Sequence, residues 1–255
     1  MRWVPVFKKE MRLYFGSPVA YAFLALFLLI AGWMFSQIFL IYSEMSMRSF
    51  MQPMGAQNLN PTESVMRPVF SNMSVVLLFF IPMLTMRLFA EEKRAGTMEL
   101  LLTYPVRDGA VLIGKYAAAL ALYAIMLAFT LLYPALLAYF ARVEWGPLVT
   151  GYLGLLLMGS TFLAVGIFAS SLTENQIVAS LITFGVLLIF WVLGWSADAV
   201  GGPWGKVLSD LSILEHYDTF AKGILDTKDV IYYVNFTIFA LFLTLRSLEA
   251  RRWKG

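Results

Sequence analysis

Residues 19–42 read VAYAFLALFLLIAGWMFSQIFLIY, an apolar run without a charged side chain. A helix that crosses a bilayer needs about 20 mostly apolar residues. This run is therefore long enough to enter the membrane and to remain there, and it predicts a transmembrane helix. Residues 1–18 lack the apolar core of a signal peptide, so we expect no cleavable signal peptide.

The composition extends the membrane prediction to the rest of the chain. Of the 255 residues, 60% are hydrophobic and 14% are charged, whereas an average soluble domain carries about 25% charged residues. A water-soluble globule has too much surface to hide this share of apolar side chains. The chain has no cysteine and one histidine, His216, which excludes disulfides, thiolate metal sites and a thiol nucleophile and leaves no cluster of metal ligands.

Five further apolar runs follow the first one, and together they predict an all-α integral membrane protein that forms a single domain over residues 1–255. Pro82 lies inside the second predicted span and Pro134 inside the third. Each proline removes a backbone hydrogen bond, so each is expected to kink its helix. The predicted spans are residues 19–42, 69–89, 111–140, 148–170, 177–196 and 230–245.

The distribution of charge predicts the orientation of these spans. Lys and Arg are more than twice as frequent on the side that holds both termini as on the opposite side. The positive-inside rule therefore places both termini in the cytoplasm, and topology rather than nucleic-acid binding explains the net charge of +3. The spans are nearly free of charge, which disfavours an ion-coupled carrier. Asp198, near the outer end of the fifth span, is interpreted as a solvated helix-end residue.

The segment before the first span, residues 1–17, shows the pattern of an amphipathic helix. Apolar side chains recur there at helical spacing, and basic side chains occupy much of the remainder. This pattern predicts an interfacial helix with its cations at the lipid headgroups and its aromatic rings in the boundary layer. It can serve as a basic anchor alone or also meet a cytoplasmic partner. Its candidate residues are Trp3, Phe7, Lys8, Lys9 and Arg12.

A charged stretch, RLFAEEKRAGTMELLLTYPVRD at residues 87–108, separates the second and third spans. Gly96 allows a sharp change of direction, Thr97 can cap a short helix, and Pro105 disfavours its continuation. Residues 91–94 are expected to continue from the second span. We therefore predict a helix, a bend and a second helix, with the cytoplasmic coupling helix within residues 90–105 and the charges toward the cytoplasm. An apolar face that re-enters the lipid is the alternative interpretation.

A short polar segment, SLTENQ, connects the fourth and fifth spans on the same side of the membrane. Thr173 or Ser171 is expected to cap the fifth span. The segment is interpreted as a tight turn that lies near the same cytoplasmic partner.

The stretch EEKRAGTMELLLTYPV (residues 91–106) resembles the hallmark of the permease subunits of ABC-2 type transporters. Six spans, an amphipathic amino-terminal helix, GILDTKD before the last span and RSLEARRW after it support this resemblance, which covers nearly the whole chain. The nearest subgroup is the permease associated with bacterial gliding motility. The implied architecture is that of ABC-2, or type V, exporters, with a cytoplasmic coupling helix and short outer re-entrant helices.

The resemblance also implies a function and a set of partners. The chain would be the permease subunit of an ATP-driven transporter in the bacterial cytoplasmic (inner) membrane, and it would export a substrate by alternating access or transmit force. It would pair with a second permease, identical or related, and bind an ABC ATPase subunit; the resemblance also allows an accessory protein on the outer, periplasmic side. The residues expected at the ATPase contact are Glu91, Glu92, Lys93, Arg94, Thr97, Met98, Glu99, Leu101, Leu102, Thr173, Glu174 and Asn175.

Residues 198–229, between the fifth and sixth spans, correspond to the outer re-entrant region. Apolar side chains alternate there with acidic ones, as in short helices that rest at a membrane surface. His216 can sense pH or bind substrate, and a hydrogen-bonded interfacial histidine is the simpler interpretation. The candidate residues are Trp204, Glu215, His216 and Tyr217.

The sequence lacks the phosphate-binding pattern G-x-x-x-x-G-K-[ST]. We therefore expect no catalytic residue, metal or cofactor on this chain, with ATP and magnesium bound by the partner ATPase. Two other classes remain open. An intramembrane hydrolase of the rhomboid type needs a Ser–His pair within the membrane. A carrier or scaffold that does not use ATP needs neither such a pair nor a partner ATPase.

Overall fold

The computed structural model describes residues 3–51, 60–97 and 107–252, and for residues 50, 51, 198, 251 and 252 it describes the backbone alone. Helices make up nearly all of these ranges, and no strand occurs within them. A π-helical turn, Thr62–Met66, leads directly into α3. The described helices are α1 (Val4–Gly16), α2 (Pro18–Met51), α3 (Arg67–Thr85), α4 (Arg87–Arg94), α5 (Asp108–Thr130), α6 (Leu132–Phe140), α7 (Trp145–Leu172), α8 (Gln176–Val200), α9 (Gly202–Leu211), α10 (Ile213–Ala221) and α11 (Thr227–Arg252).

Six helical stretches are long and apolar enough to cross a membrane. Each contains one predicted span and continues beyond it at one end or both, so the all-α fold with six spans is confirmed. The extensions are mostly polar. A helix can continue past the apolar layer because it satisfies its own backbone hydrogen bonds. The stretches are Pro18–Ser49, Thr62–Arg94, Asp108–Phe140, Trp145–Leu172, Gln176–Ala197 and Thr227–Ala250.

The six crossings give the bundle two ends. The α1 side is the end that holds α1, α4, the start of α5 and the turn between α7 and α8. The α10 side is the opposite end, which holds α9, α10 and the start of α3. An ion pair of 3.0 Å between Arg67 at the start of α3 and Asp218 in α10 connects elements on the α10 side.

Helix α7 is the most enclosed of the spans and packs closely against its neighbours. Four of its glycines lie so near other side chains that an added Cβ would fall 2.0–2.6 Å from the closest atom. Small residues of this kind allow membrane helices to approach one another without a side chain between them. The glycines and the residues they face are Gly151 and Phe70, Gly154 and Phe220, Gly159 and Tyr123, and Gly166 and Thr85.

Pro134 interrupts the third span, as predicted. The helix breaks at Leu131 between α5 and α6, three residues before the proline. Because Pro134 has no N–H group, it cannot donate to the carbonyl of Thr130. The Tyr152 hydroxyl in α7 donates to that carbonyl instead, at 2.9 Å. The break is therefore closed by a hydrogen bond from another helix.

Pro82, in the second span, does not stop its helix. Pro82 lies inside α3, which continues to Thr85, and the interruption comes at Met86. The Thr85 hydroxyl donates to the carbonyl of Ile81 at 2.9 Å. After the interruption at Met86, the second span continues as a separate short helix, α4. The contacts of α4 form the candidate site.

Candidate coupling site on the α1 side

The amino-terminal segment forms the predicted helix, α1. One side of it packs against α5, where a Cβ on Gly114 would fall 2.7 Å from the Cβ of Val6. The Trp3 and Phe7 rings meet edge to face with centroids 6.0 Å apart. The basic residues Lys8, Lys9 and Arg12 are exposed.

One residue of α1 departs from the simple amphipathic pattern. Glu10 has a side chain that is only 7% exposed, and its Oε1 accepts a hydrogen bond from Lys115 Nζ at 2.8 Å. Lys115 lies near the start of α5 and is 2% exposed. The third predicted span therefore contains a buried cation, the single charge within residues 111–140. The cation is tolerated there because carboxylates neutralise it.

Lys115 belongs to a set of four paired charges, which we call the ion network: Lys9, Glu10, Glu92 and Lys115. Glu92 Oε1 lies 3.0 Å from Lys115 Nζ and 3.1 Å from Lys9 Nζ. The ammonium group of Lys115 also lies 5.3 Å from the centroid of the Phe89 ring. Two cations and two carboxylates balance one another, so burial is possible without an uncompensated charge. The ion network joins α1, α4 and α5.

Two residues that were predicted to contact the ATPase have partners within the chain. Glu92 belongs to the ion network and its side chain is 15% exposed. Lys93 is buried and its Nζ donates to the carbonyl of Ser171. Both side chains point into the bundle because α4 continues the second span and keeps one face against α5 and α7. Three other predicted contact residues of this segment are exposed: Glu91, Arg94 and Thr97.

The interruption at Met86 is bridged by a serine of α7. The Ser170 hydroxyl donates to the carbonyl of Met86 at 3.0 Å and accepts from the N–H groups of Phe89 and Ala90, also at 3.0 Å. A helix break leaves such backbone groups without partners, and a buried unpaired group is costly. One side chain thus satisfies three of them and attaches α4 to α7.

Helix α4 ends in the predicted change of direction. Gly96 has a φ of +67°, a conformation that glycine adopts readily, and the Thr97 hydroxyl donates to the carbonyl of Glu92 at 3.2 Å. The first residues of the predicted coupling helix at residues 90–105 belong to α4, as expected for a continuation of the second span. Four of its expected contacts lie outside the described residues: Met98, Glu99, Leu101 and Leu102.

The turn between α7 and α8 is capped by a residue other than those predicted. Asn175 is the N-cap of α8, and its side-chain oxygen accepts from the N–H of Ile177 at 2.9 Å. The prediction of Thr173 or Ser171 as the cap was wrong because α8 begins later than either position allows. Thr173 supports the turn instead, since its hydroxyl accepts from the N–H of Asn175 at 3.1 Å.

The contact between Lys93 and Ser171 brings the end of α4 beside the turn that precedes α8. Exposed or half-buried polar residues from both segments then form one area on the α1 side. We call this area the α4–α8 surface. Its described members are Glu91, Arg94, Thr97, Thr173, Glu174 and Asn175.

On the α10 side, His216 is fully engaged in hydrogen bonds. Its Nδ1 lies 2.6 Å from Asp229 Oδ1, and its Nε2 lies 3.0 Å from the carbonyl of Asp210. A carbonyl only accepts, so Nε2 donates to it, while Nδ1 is occupied by the Asp229 carboxyl group. The ring also stacks on Tyr232 with centroids 4.0 Å apart. Neither nitrogen is available to activate a serine, which disfavours the hypothesis of an intramembrane hydrolase.

The other three candidates of the outer region do not converge on one site. Trp204 in α9 is 74% exposed. Glu215 in α10 accepts a hydrogen bond from the Ser209 hydroxyl. Tyr217 is buried beneath Gly154, and burial, with a smaller effect of neighbouring groups, holds the pKa of its hydroxyl well above the ordinary value. The predicted short helices of residues 198–229 are present as α9 and α10.

The protein is an all-helical, multi-pass membrane protein with six spans. The amphipathic helix α1 and the charged helix α4 pack together at one end of the bundle. The sequence pattern of the family described as "ABC-2 family transporter protein" matches residues 4–248. The chain therefore belongs to the ABC-2 family of transporter proteins, which confirms the predicted family and indicates a permease subunit, a membrane component without a catalytic role. No curated protein matches the chain. The gliding-motility subgroup stays a prediction.

Proposed function

We propose that the chain is the permease subunit of an ATP-driven exporter and that a separate ABC ATPase binds its α4–α8 surface. The observation that carries this proposal is the contact of Lys93 with the Ser171 carbonyl, which places two exposed polar segments side by side. The absence of a nucleotide-binding pattern from the sequence supports a partner that supplies ATP hydrolysis. The α1 side then faces the cytoplasm, in a bacterial inner membrane.

The hydrogen bonds around α4 provide two routes by which ATPase movement reaches the membrane. Ser170 and Lys93 connect α4 to α7, the most enclosed span. The ion network connects α4 to α5 and α1 through Lys115. A displacement of the α4–α8 surface would therefore move α7 and α1 together. In a pair of permeases this movement would open and close a path for the substrate or transmit force to an outer protein.

The proposal is tested by co-expressing the chain with the ABC ATPase subunits encoded in the same genome. The variant Arg94→Glu with Glu174→Lys reverses two exposed charges of the α4–α8 surface, and Lys206→Glu reverses an exposed charge on α9. We expect the ATPase to co-purify with the wild type and with Lys206→Glu, and to be lost from the double variant. All three proteins should elute as folded monodisperse species.

Two outcomes would overturn the proposal. The assignment of the α4–α8 surface as the ATPase contact is wrong if the double variant still binds the ATPase and still stimulates its ATP hydrolysis. The transporter function is wrong if no ATPase associates with the wild type under any nucleotide condition, and a carrier or scaffold would then be favoured.

A further inference from the structure

A cavity of about 560 Å³ opens on the α1 side between α1, α2, the α3–α4 junction and α5. Its walls differ in character along its length. Apolar side chains of the spans line one part, among them Phe23 of α2 and Met83 of α3. Charged and hydroxyl groups line the other part, including Tyr14, Arg87 and Glu92. Such a cavity suits a molecule with a polar head and an apolar tail.

The position of the cavity indicates where its occupant comes from. Helix α1 is amphipathic, and the cavity is lined by the beginning of the first apolar stretch and by the end of the second. Met83 is 54% exposed on the outside of the bundle, so the apolar part adjoins the lipid. A phospholipid of the adjacent leaflet has its headgroup and the upper part of its acyl chains at this depth.

Two buried oxygens on residues that line the cavity indicate the chemistry of the head. Glu92 Oε2 and the Tyr14 hydroxyl are buried and have no hydrogen-bond partner among the described residues. A carboxylate oxygen can only accept, so Glu92 Oε2 requires an N–H or O–H donor. Burial, followed in size by the charge of Glu10, raises the pKa of Tyr14, so its hydroxyl stays protonated and neutral. The head that fits must donate hydrogen bonds.

A cation at the rim of the cavity can bind the phosphate of the same headgroup. Arg87 lines the cavity, is exposed, and forms no ion pair with any residue of the described ranges. A guanidinium group binds phosphate oxygens through two parallel hydrogen bonds. The cavity thus presents a carboxylate oxygen that accepts a hydrogen bond and a guanidinium group that binds an anion.

We propose that this cavity binds an aminophospholipid of the phosphatidylethanolamine type. Its primary ammonium group would be oriented toward Glu92 and Tyr14, its phosphate toward Arg87, and its acyl chains along the apolar wall. Choline lipids fit less well because a quaternary ammonium has no N–H to donate. Lipids with an uncharged alcohol head lack the cation that a carboxylate favours. The cavity adjoins the proposed ATPase contact, because Glu91 and Thr97 of the α4–α8 surface also line it. The lipid test uses the chain without an ATPase, so its failure is distinct from failure of the proposed function.

The test is lipid retention by the full chain. The protein is reconstituted in vesicles of equal parts dioleoyl phosphatidylethanolamine, phosphatidylcholine and phosphatidylglycerol, extracted in mild detergent, and analysed by native mass spectrometry. We expect the wild type to retain phosphatidylethanolamine about tenfold over each of the other two lipids. Tyr14→Phe and Arg87→Ala, singly and together, should reduce this preference several-fold.

Two variants serve as matched controls. Tyr21→Phe removes a hydroxyl from an exposed tyrosine of α2, and Arg12→Ala removes an exposed cation from α1; neither residue lines the cavity. Both should keep the wild-type preference. The proposal is overturned if the wild type retains the three lipids equally or prefers another one, or if the preference survives in the Tyr14→Phe, Arg87→Ala double variant.

Discussion

Lys115 Nζ lies 2.8 Å from Glu10 Oε1, although 105 positions separate the two residues in sequence. The contact is nearly inaccessible to solvent, with side chains that are 2% and 7% exposed. Charges removed from water depend on each other, because either one alone would be a costly buried ion. The pair therefore fixes the amphipathic helix α1 to the third span more firmly than an exposed salt bridge could.

Lys115→Met should strongly destabilise the protein. It leaves the carboxylates of Glu10 and Glu92 without their buried cation, and removal of one partner of a buried ion pair costs about 3–5 kcal/mol. Thermal unfolding in detergent, followed by size-exclusion fluorescence, measures the effect. Lys9→Met is the matched control, since the Lys9 side chain is 52% exposed and should contribute about 1 kcal/mol or less. Equal unfolding temperatures for the two variants would contradict the role of the ion network.

Ser170→Ala should loosen α4 from α7. The variant removes three hydrogen bonds at the break near Met86, including those that hold the N–H groups of Phe89 and Ala90. Peptides that cover residues 87–94 are expected to exchange their amide hydrogens about tenfold faster. Ser180→Ala is the control, because that hydroxyl only donates to the carbonyl of Ile177 in its own helix. Unchanged exchange in the Ser170→Ala protein would exclude the serine bridge.

Tyr152→Phe should destabilise the third span, and Pro134→Ala should compensate. The first change leaves the Thr130 carbonyl without its donor, at a cost of about 1–3 kcal/mol. The second returns an N–H group to position 134, four residues after Thr130, where it can donate to the same carbonyl. The double variant should therefore unfold at a higher temperature than Tyr152→Phe alone.

The matched control for this pair is Tyr139→Phe, which removes a hydroxyl from a side chain that is 84% exposed. It should have little effect, with or without Pro134→Ala. Strictly additive effects of Tyr152→Phe and Pro134→Ala would show that the tyrosine does not replace the missing backbone donor.

Asp218 should stabilise the fold at neutral pH and lose this effect at acid pH. Burial raises the pKa of this carboxyl, but hydrogen bonds and charges from Lys222 and Arg67 outweigh burial, so the pKa lies below its ordinary value. A carboxyl with a lowered folded-state pKa stabilises the fold fully above its unfolded value of about 3.9 and loses this effect as the pH falls further.

The measurement is the unfolding temperature of the wild type and of Asp218→Asn at about pH 6 and about pH 3. The wild type should be more stable than the variant at the higher pH, and the difference should shrink at the lower pH. Asp210→Asn, which changes an exposed side chain on α9, should show no such convergence. A difference that grows toward acid would reverse the sign derived for Asp218.

The spans and α1 could be predicted from the sequence because they depend on local features. An apolar run of bilayer length, or cations and aromatic rings at helical spacing, can be recognised without knowledge of any neighbour. The same reasoning placed Gly96 at the end of α4, since a sharp change of direction favours glycine. Each of these features concerns residues within one turn or one helix.

The ion network could not be predicted in this way because it joins residues from three helices. The amphipathic pattern treats Glu10 as one more polar residue, and the charge count treats Lys115 as one more cation. Two signals were nevertheless present. Glu10 is the single acid among the first 17 residues, and Lys115 is the single charge within residues 111–140. A charge inside an otherwise apolar span calls for a partner.

The bridge made by Ser170 and the cap made by Asn175 were missed for a different reason. A serine in an apolar helix usually bonds to its own preceding turn, so its sequence context does not reveal a backbone break in another helix. Asn175 has one of the side chains that cap helices best, but three candidates stand within five residues. The choice among them depends on where the turn ends, which tertiary packing decides.

The separation of Glu10 and Lys115 along the chain also orders the steps of biosynthesis. Glu10 leaves the ribosome long before Lys115, so during insertion of the first two spans its carboxylate has no counter-ion to be buried with. An unpaired carboxylate stays in water, and α1 must therefore wait at the membrane surface until the third span arrives. Docking of the amino terminus is thus a late event of assembly, although it concerns the first residues to be made.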